Sequence, residues 1–242
     1  MVLKIYINPR FLMITITTTM VLMIIMGAIV AGLQTFTKLE SAMGFIPLFN
    51  LDAEGTAPAF FSSFNLGFAS LLLMLIAQDR KYHGDTYWRH WYGLAAGFLF
   101  MCVDESISLH EKIVHLVEST LVSQSYVINY GIAAFGLAVS LSLFISYYKF
   151  LLYLPWRSKR NFVLSGVIFV SGAFITEAIG GYLYHHSNQI NMGYYYITAV
   201  IEESLEMIGV VAFIKSLFLY INHNIASDSP TILARQRQTQ AV

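Results

Sequence analysis

Residues 90–119 read HWYGLAAGFLFMCVDESISLHEKIVHLVES, and within them lies the stretch Asp104-Glu105-Ser106-Ile107-Ser108-Leu109-His110-Glu111. The flanking residues are apolar and the run is long enough to cross a bilayer as a helix. Carboxylates and a histidine at that depth are expensive to bury, so they mark a candidate functional site. Two further groups have the same character. Glu202-Glu203-Ser204-Leu205-Glu206 lies in a later apolar run, and Glu177 stands alone in another.

The rest of the chain supports a membrane reading. Of 242 residues, 57% are hydrophobic and only 12% are charged, against about 25% charged in a soluble domain. Mean hydropathy is +0.62. Net charge is zero, so no basic surface points to nucleic acid. Cys102 is the single cysteine, which excludes an intrachain disulfide and a thiolate metal cluster. Nothing in the sequence separates two domains.

Working outward from the opening stretch, the pattern predicts an all-α polytopic bundle of about six spans over 11–33, 57–78, 90–119, 126–156, 161–184 and 196–222. Together they form a single transmembrane domain, 1–222. The first run is longer than the ~7–15-residue core of a signal peptide and is expected to stay as an uncleaved span. The tail, 223–242, is polar and expected to be disordered. Lys4, Arg10, Arg80, Lys81, Arg89, Arg157, Lys159, Arg160, Arg235 and Arg237 fall on one side of this topology, with Lys149 and Lys215 at the same ends of their spans. Only Lys38 and Lys112 remain for the other side. The positive-inside rule then puts both termini in the cytoplasm.

Helical rise predicts whether the acids meet. Asp104, Glu105, Glu177, Glu202 and Glu203 all fall roughly 20–24 Å from the cytoplasmic face, in the outer half of a ~30 Å core. Glu206 lies about a turn deeper. Glu111, His110, His115 and His185 belong to the outer rim, and Asp52 and Glu54 approach from the first outer loop. Asp104, Ser108, Glu111 and His115 share one helical stripe, and Glu202, Glu203 and Glu206 can line one groove. Simpler roles are available at the edges: Glu111 and His115 as solvated span-end residues, His185 as a loop residue, and Glu202-Glu203 as helix caps should the last span start later. Asp104, Glu105 and Glu177 have apolar sequence on both sides and no such role.

So many like-signed groups cannot all ionise in a low dielectric without counter-charge. Lys112 is the nearby cation, so either several carboxyls keep their protons or metal ions fill the site. Asp, Glu and His without Cys suit Zn, Mn or Fe. The expected metal ligands are Asp104, Glu105, Glu111, Glu177, Glu202, Glu203 and Glu206, with His110, His115, His185, Asp52 and Glu54 as rim candidates. Glu105 and Glu203 are the expected catalytic pair. The Glu-x-x-His motif of di-iron bundles is absent. An activated water attacking a lipid or other amphipathic substrate is therefore the favoured chemistry. A proton- or cation-coupled carrier and a structural protein with a buried polar network are the alternatives; membrane lipids are partners in each case, and the oligomeric state stays open.

The Asp-Glu…His-Glu run, the Glu-Glu-x-x-Glu of residues 202–206 and the junction Phe-Asn-Leu-Asp-Ala-Glu…Pro…Phe-Ser-Ser at 49–63 together resemble an uncharacterised group of small bacterial multi-pass membrane proteins. That resemblance implies a six-span fold and no particular reaction. The acidic-and-His logic is also similar, loosely, to membrane metallohydrolases of the alkaline ceramidase type, whose His-x-x-x-His signature this chain lacks.

Overall fold

A computed structural model describes residues 8–37, 41–109, 112, 125–176, 179 and 189–225. Among them every regular element is helical. The helices are α1 (Pro9–Thr37), the short α2 (Phe45–Phe49), α3 (Ala57–Tyr82), α4 (Trp88–Ile107), α5 (Ser125–Tyr153), α6 (Trp156–Val170) and α7 (Gln189–Tyr220). Three are long and apolar enough to cross a membrane: Pro9–Thr37, Ala57–Tyr82 and Gly193–Asn224. A shorter apolar helix covers Leu137–Tyr153.

Local chemistry sets the boundaries. Asn8 accepts from the Arg10 N–H at 3.0 Å just before Pro9, which suits the first helical turn. Thr56 caps α3 by accepting from the Ala59 N–H at 3.3 Å, again with a proline in the first turn. Arg80 and Lys81 occupy the last turn of α3, where cations complement the helix dipole. Pro155 closes α5 and opens α6.

Two features depart from the expected spans. The 90–119 run is not one continuous helix. Ser108 adopts a left-handed conformation (φ 52°, ψ 48°) and ends α4 at Ile107, two residues past Glu105. The freed carbonyls there are met by Lys112, whose N–H donates to Ser108 O at 3.1 Å and whose Nζ donates to Ile107 O. A basic side chain satisfying a helix C-terminus is the usual remedy for carbonyls without an intrahelical donor. The other departure is at the last span, which starts at Gln189, several residues before 196. Glu202 and Glu203 consequently sit well inside a helix and do not cap one.

The core follows from burial. α3 packs chiefly on α4, α6 on α7, and α1 on α7. Leu73, Ile76, Trp91, Phe150, Ile214 and Leu217 form the centre of the larger cluster. Ile16, Met20, Leu51, Phe61, Met207 and Val211 form a second cluster under the loop that precedes α3. Large apolar side chains also stay exposed along whole helices: Phe11, Ile14, Ile25 and Phe36 on α1, and Leu141, Phe144, Ile145 and Leu152 on α5. Apolar surface on that scale is foreign to a soluble monomer and natural against lipid.

Candidate functional site

The loop before α3 is fastened to α1. Asn50 Oδ1 accepts from the Asp52 N–H at 3.2 Å, a side-chain turn that orients the following residues. Leu51 is 5% exposed and presses onto Gly27 of α1, where a Cβ would fall 2.2 Å from Leu51 Cδ1. Asp52, next in sequence, is then met by Tyr195 of α7, whose hydroxyl lies 2.9 and 3.0 Å from the two carboxylate oxygens. One clamp therefore joins α1, the loop and α7 beside two acidic residues, Asp52 and Glu54.

On α4 the neighbourhood of Glu105 is tied to α3. Ser63, buried, donates to Cys102 O at 2.9 Å and lies 2.6 Å from the Ser106 hydroxyl, which itself bonds Cys102 O. Hydroxyls bridging two packed helices satisfy polar groups that their apolar surroundings cannot. They also fix the rotation of α4 about its axis, and with it the direction in which Glu105 leaves the helix.

The third contribution comes from α7 where α6 crosses it. After Val170 the helix continues as a π-helical segment, Ser171–Thr176. Within it Gly172 meets the acidic triplet, since a Cβ there would lie 2.9 Å from Glu202 O and 3.1 Å from Glu206 Cγ. Wide helical turns of this kind recur at functional sites because they re-aim neighbouring groups.

Each attachment lies beside an acid whose charge acts on Glu203. Its carboxyl, half-buried on α7, lies within electrostatic reach of Glu206 on the same helix, Glu105 on α4, and Asp52 and Glu54 on the loop. Asp104 and Glu202, each one residue before a member of this group, sit about 100° round their helices, and both are half-buried. Of the expected ligand set, Glu206, Glu105, Asp52 and Glu54 are the members whose charges act on Glu203. His110, Glu111, His115, Glu177 and His185 lie outside the described residues. Among the described residues no three His, Cys, Asp or Glu side chains are grouped to hold a metal ion. The described carboxyls make an acidic basin, not a finished ligand shell.

Tyr195 and the Ser63–Ser106 pair are the participants that pattern reading did not single out. Ser63 was visible within the Phe-Ser-Ser junction, whereas Tyr195 gives no signal of its own in the run Tyr194-Tyr195-Tyr196.

A family model described as a domain of unknown function (DUF8692) matches residues 12–221. The chain belongs to the DUF8692 family. That match spans every element of the site, from α1 to α7. No curated protein and no solved structure matches the chain.

Proposed function

We propose that this DUF8692 member is a six-span protein of a bacterial cytoplasmic membrane, with both termini in the cytoplasm and its acidic end a cation-binding site in the outer half of the bilayer. In this reading Asp104, Glu105, Glu202, Glu203 and Glu206, completed by Glu177, Glu111 and rim histidines among His110, His115 and His185, hold one or two divalent cations. Zn, Mn and Fe suit this donor set. Bound there, such an ion lowers the pKa of a coordinated water into the useful range. Glu203 and Glu105 then serve to orient that water and accept its proton, and an ester, amide or phosphoester of a lipid or amphipathic substrate is the group attacked.

The observation that carries the reading is that three separate elements are each fastened beside an acid: Tyr195 on Asp52 of the loop, Ser63 on Ser106 next to Glu105 of α4, and Gly172 against Glu206 of α7. Holding like charges near one another, with Glu105, Glu203 and Glu206 partly buried, disfavours the folded state unless a cation accompanies them. Elemental analysis of purified wild type beside Glu203→Gln tests it. Stoichiometric Zn, Mn or Fe in the wild type and its loss in the variant is the expected result. Metal-free wild type whose melting temperature ignores chelators would overturn it. Reporter fusions test the topology separately: cytoplasmic reporters after Arg160 or Arg237 should be active and one after Gln189 silent.

A second reading has its own support. Glu206, Glu105, Asp52 and Glu54 act electrostatically on Glu203, an arrangement suited to sharing protons. A proton- or cation-coupled carrier would use it so. Ion flux in proteoliposomes, abolished by Glu203→Gln, distinguishes this reading from hydrolysis.

A further inference from the structure

At the opposite end of the bundle from Asp52 a cavity of about 340 Å³ opens between the ends of α3, α5 and α7. Arg80, Asp85, Tyr153, Tyr220, His223 and Asn224 line it. None of these residues belongs to the acidic site.

Both charges in this cavity are held in place. The Arg80 side chain is only 14% exposed. Its Nη2 donates to Asn224 O at 2.6 Å, its Nε lies 3.5 Å from Asp79, and its guanidinium sits 5.6 Å from the Tyr220 ring centroid. Five N–H donors in a rigid fork suit a phosphate. Asp85 accepts from the Tyr87 N–H at 2.7 Å through Oδ1 and from the Tyr153 hydroxyl at 3.4 Å through Oδ2. A carboxylate has about four acceptor sites, so two are engaged and capacity remains for an N–H donor from the cavity. An anion alone would meet the repulsion of Asp85, and a cation alone that of Arg80.

The residues that flank the lining residues in sequence are amphipathic. Leu152, Tyr153 and Trp156 are 54%, 56% and 69% exposed. Lys81 and Arg89 lie over Trp88 at 5.0 and 5.2 Å, and Lys159 over Trp156 at 5.4 Å. Tryptophan paired with Lys and Arg is the pattern of a membrane–water interface, and exposed apolar rings beside the opening provide a seat for acyl chains.

We propose that this cavity binds the headgroup of phosphatidylethanolamine, with the phosphodiester at Arg80 and the primary ammonium at Asp85. A ligand with one anion and one N–H-bearing cation a few bonds apart matches the two fixed charges. The flanking apolar residues select the lipid over its water-soluble headgroup. Choline phospholipids carry no N–H for Asp85, and phosphatidylglycerol lacks the ammonium.

The test uses the full chain purified in detergent, titrated with phosphatidylethanolamine, phosphatidylcholine or phosphatidylglycerol, with thermal unfolding and native mass spectrometry as readouts. Phosphatidylethanolamine should bind about tenfold more tightly than either competitor. Asp85→Asn should erase that preference and leave binding at the phosphatidylglycerol level, while Arg80→Gln should weaken binding of all three. Because Arg80 also ties α3 to Asn224, the Asp85 variant is the safer test. Equal binding of the three lipids, or an Asp85→Asn protein that still prefers phosphatidylethanolamine, would overturn the proposal. Equal protection by soluble glycerophosphoethanolamine at the same concentration would overturn the lipid as its source.

Discussion

At the Arg80 end, Arg80 sits against Asp79 and Tyr220, Lys81 and Arg89 share Trp88, and Lys159 lies over Trp156. At the Asp52 end, Glu203 feels the like charges of Glu206, Glu105, Asp52 and Glu54. The first region spreads its charge over rings and a counter-ion, as an interface needs to do for anchorage. The second accumulates one sign of charge on separate elements and fixes each by its own attachment: Leu51 on Gly27, Ser63 on Ser106, Gly172 on Glu206. Burial that disperses charge serves the fold. Burial that concentrates it costs the fold something, and suits a site whose remaining charge comes from outside the chain. Substitutions at the two ends should therefore differ in kind, and the contrast can be broken by measuring them side by side.

The largest effect is expected away from the acids. Trp91 is 1% exposed and its ring packs on Phe150, Phe162 and Tyr220 with centroid separations of 5.0, 6.0 and 4.8 Å. Trp91→Ala removes the centre of that cluster and should cost about 3–5 kcal/mol. The expected result is a large loss of folded protein from detergent extracts, measured by gel-filtration yield and thermal melts. A Trp91→Ala protein that melts with the wild type would mean the aromatic cluster is not what holds α4, α5, α6 and α7 together.

Glu203→Gln should behave in the opposite sense, depending on cations. The substitution keeps the side-chain shape and removes one member of a like-charged group. With divalent metal present the variant should melt below the wild type, because the folded state loses a ligand that stabilises it by mass action. After chelation the order should reverse or vanish. A shift of about 2–4 °C corresponds to ~1 kcal/mol for a chain of this size. A variant that melts far below wild type under both conditions would make Glu203 a structural residue and erase the contrast between the two ends.

The helices and their membrane-like apolar character were legible in sequence because each rests on a local pattern. Apolar runs such as 11–33 and 57–78 announce helices, and α1 and α3 cover them. The interruption at Ser108 was not legible, because a left-handed residue is normally advertised by glycine or asparagine and Asp104–Glu111 contains neither. The early start of α7 at Gln189 was hidden by the polar run before Tyr195, which reads as a loop until packing decides otherwise. Ligand geometry is further from reach still, since spacing says which faces agree but not how far apart side chains on different helices end.

A smaller effect is expected at the joint between α3 and α4. Ser63→Ala deletes the hydroxyl that bonds Cys102 O and meets Ser106, at a net cost of about 1 kcal/mol per hydrogen bond. Ser106 keeps its own bond to Cys102 O, so the loss should stay near the lower bound. Melting should drop by a few degrees, and the dependence on metal should persist unchanged. If chelators no longer affect Ser63→Ala, the orientation of α4 matters more to the site than the acids themselves.

The smallest stability effect, and the most informative about the acidic end, belongs to Tyr195→Phe. Its hydroxyl reaches both oxygens of Asp52, but Asp52 is exposed, so water replaces much of what is lost. The melting temperature should fall by less than the equivalent of ~1 kcal/mol. The phenylalanine ring keeps the packing, and Leu51 still seats on Gly27, so the loop stays attached to α1. What changes is the position of one carboxylate relative to Glu203. If the acidic end works by placing charges, cation affinity should drop several-fold in equilibrium binding while stability barely moves. If the clamp serves only to hold the loop down, affinity and stability should fall together or not at all. Only the first outcome would tie Asp52 to the site through function instead of folding, and it would do so at the position where the fold is least disturbed.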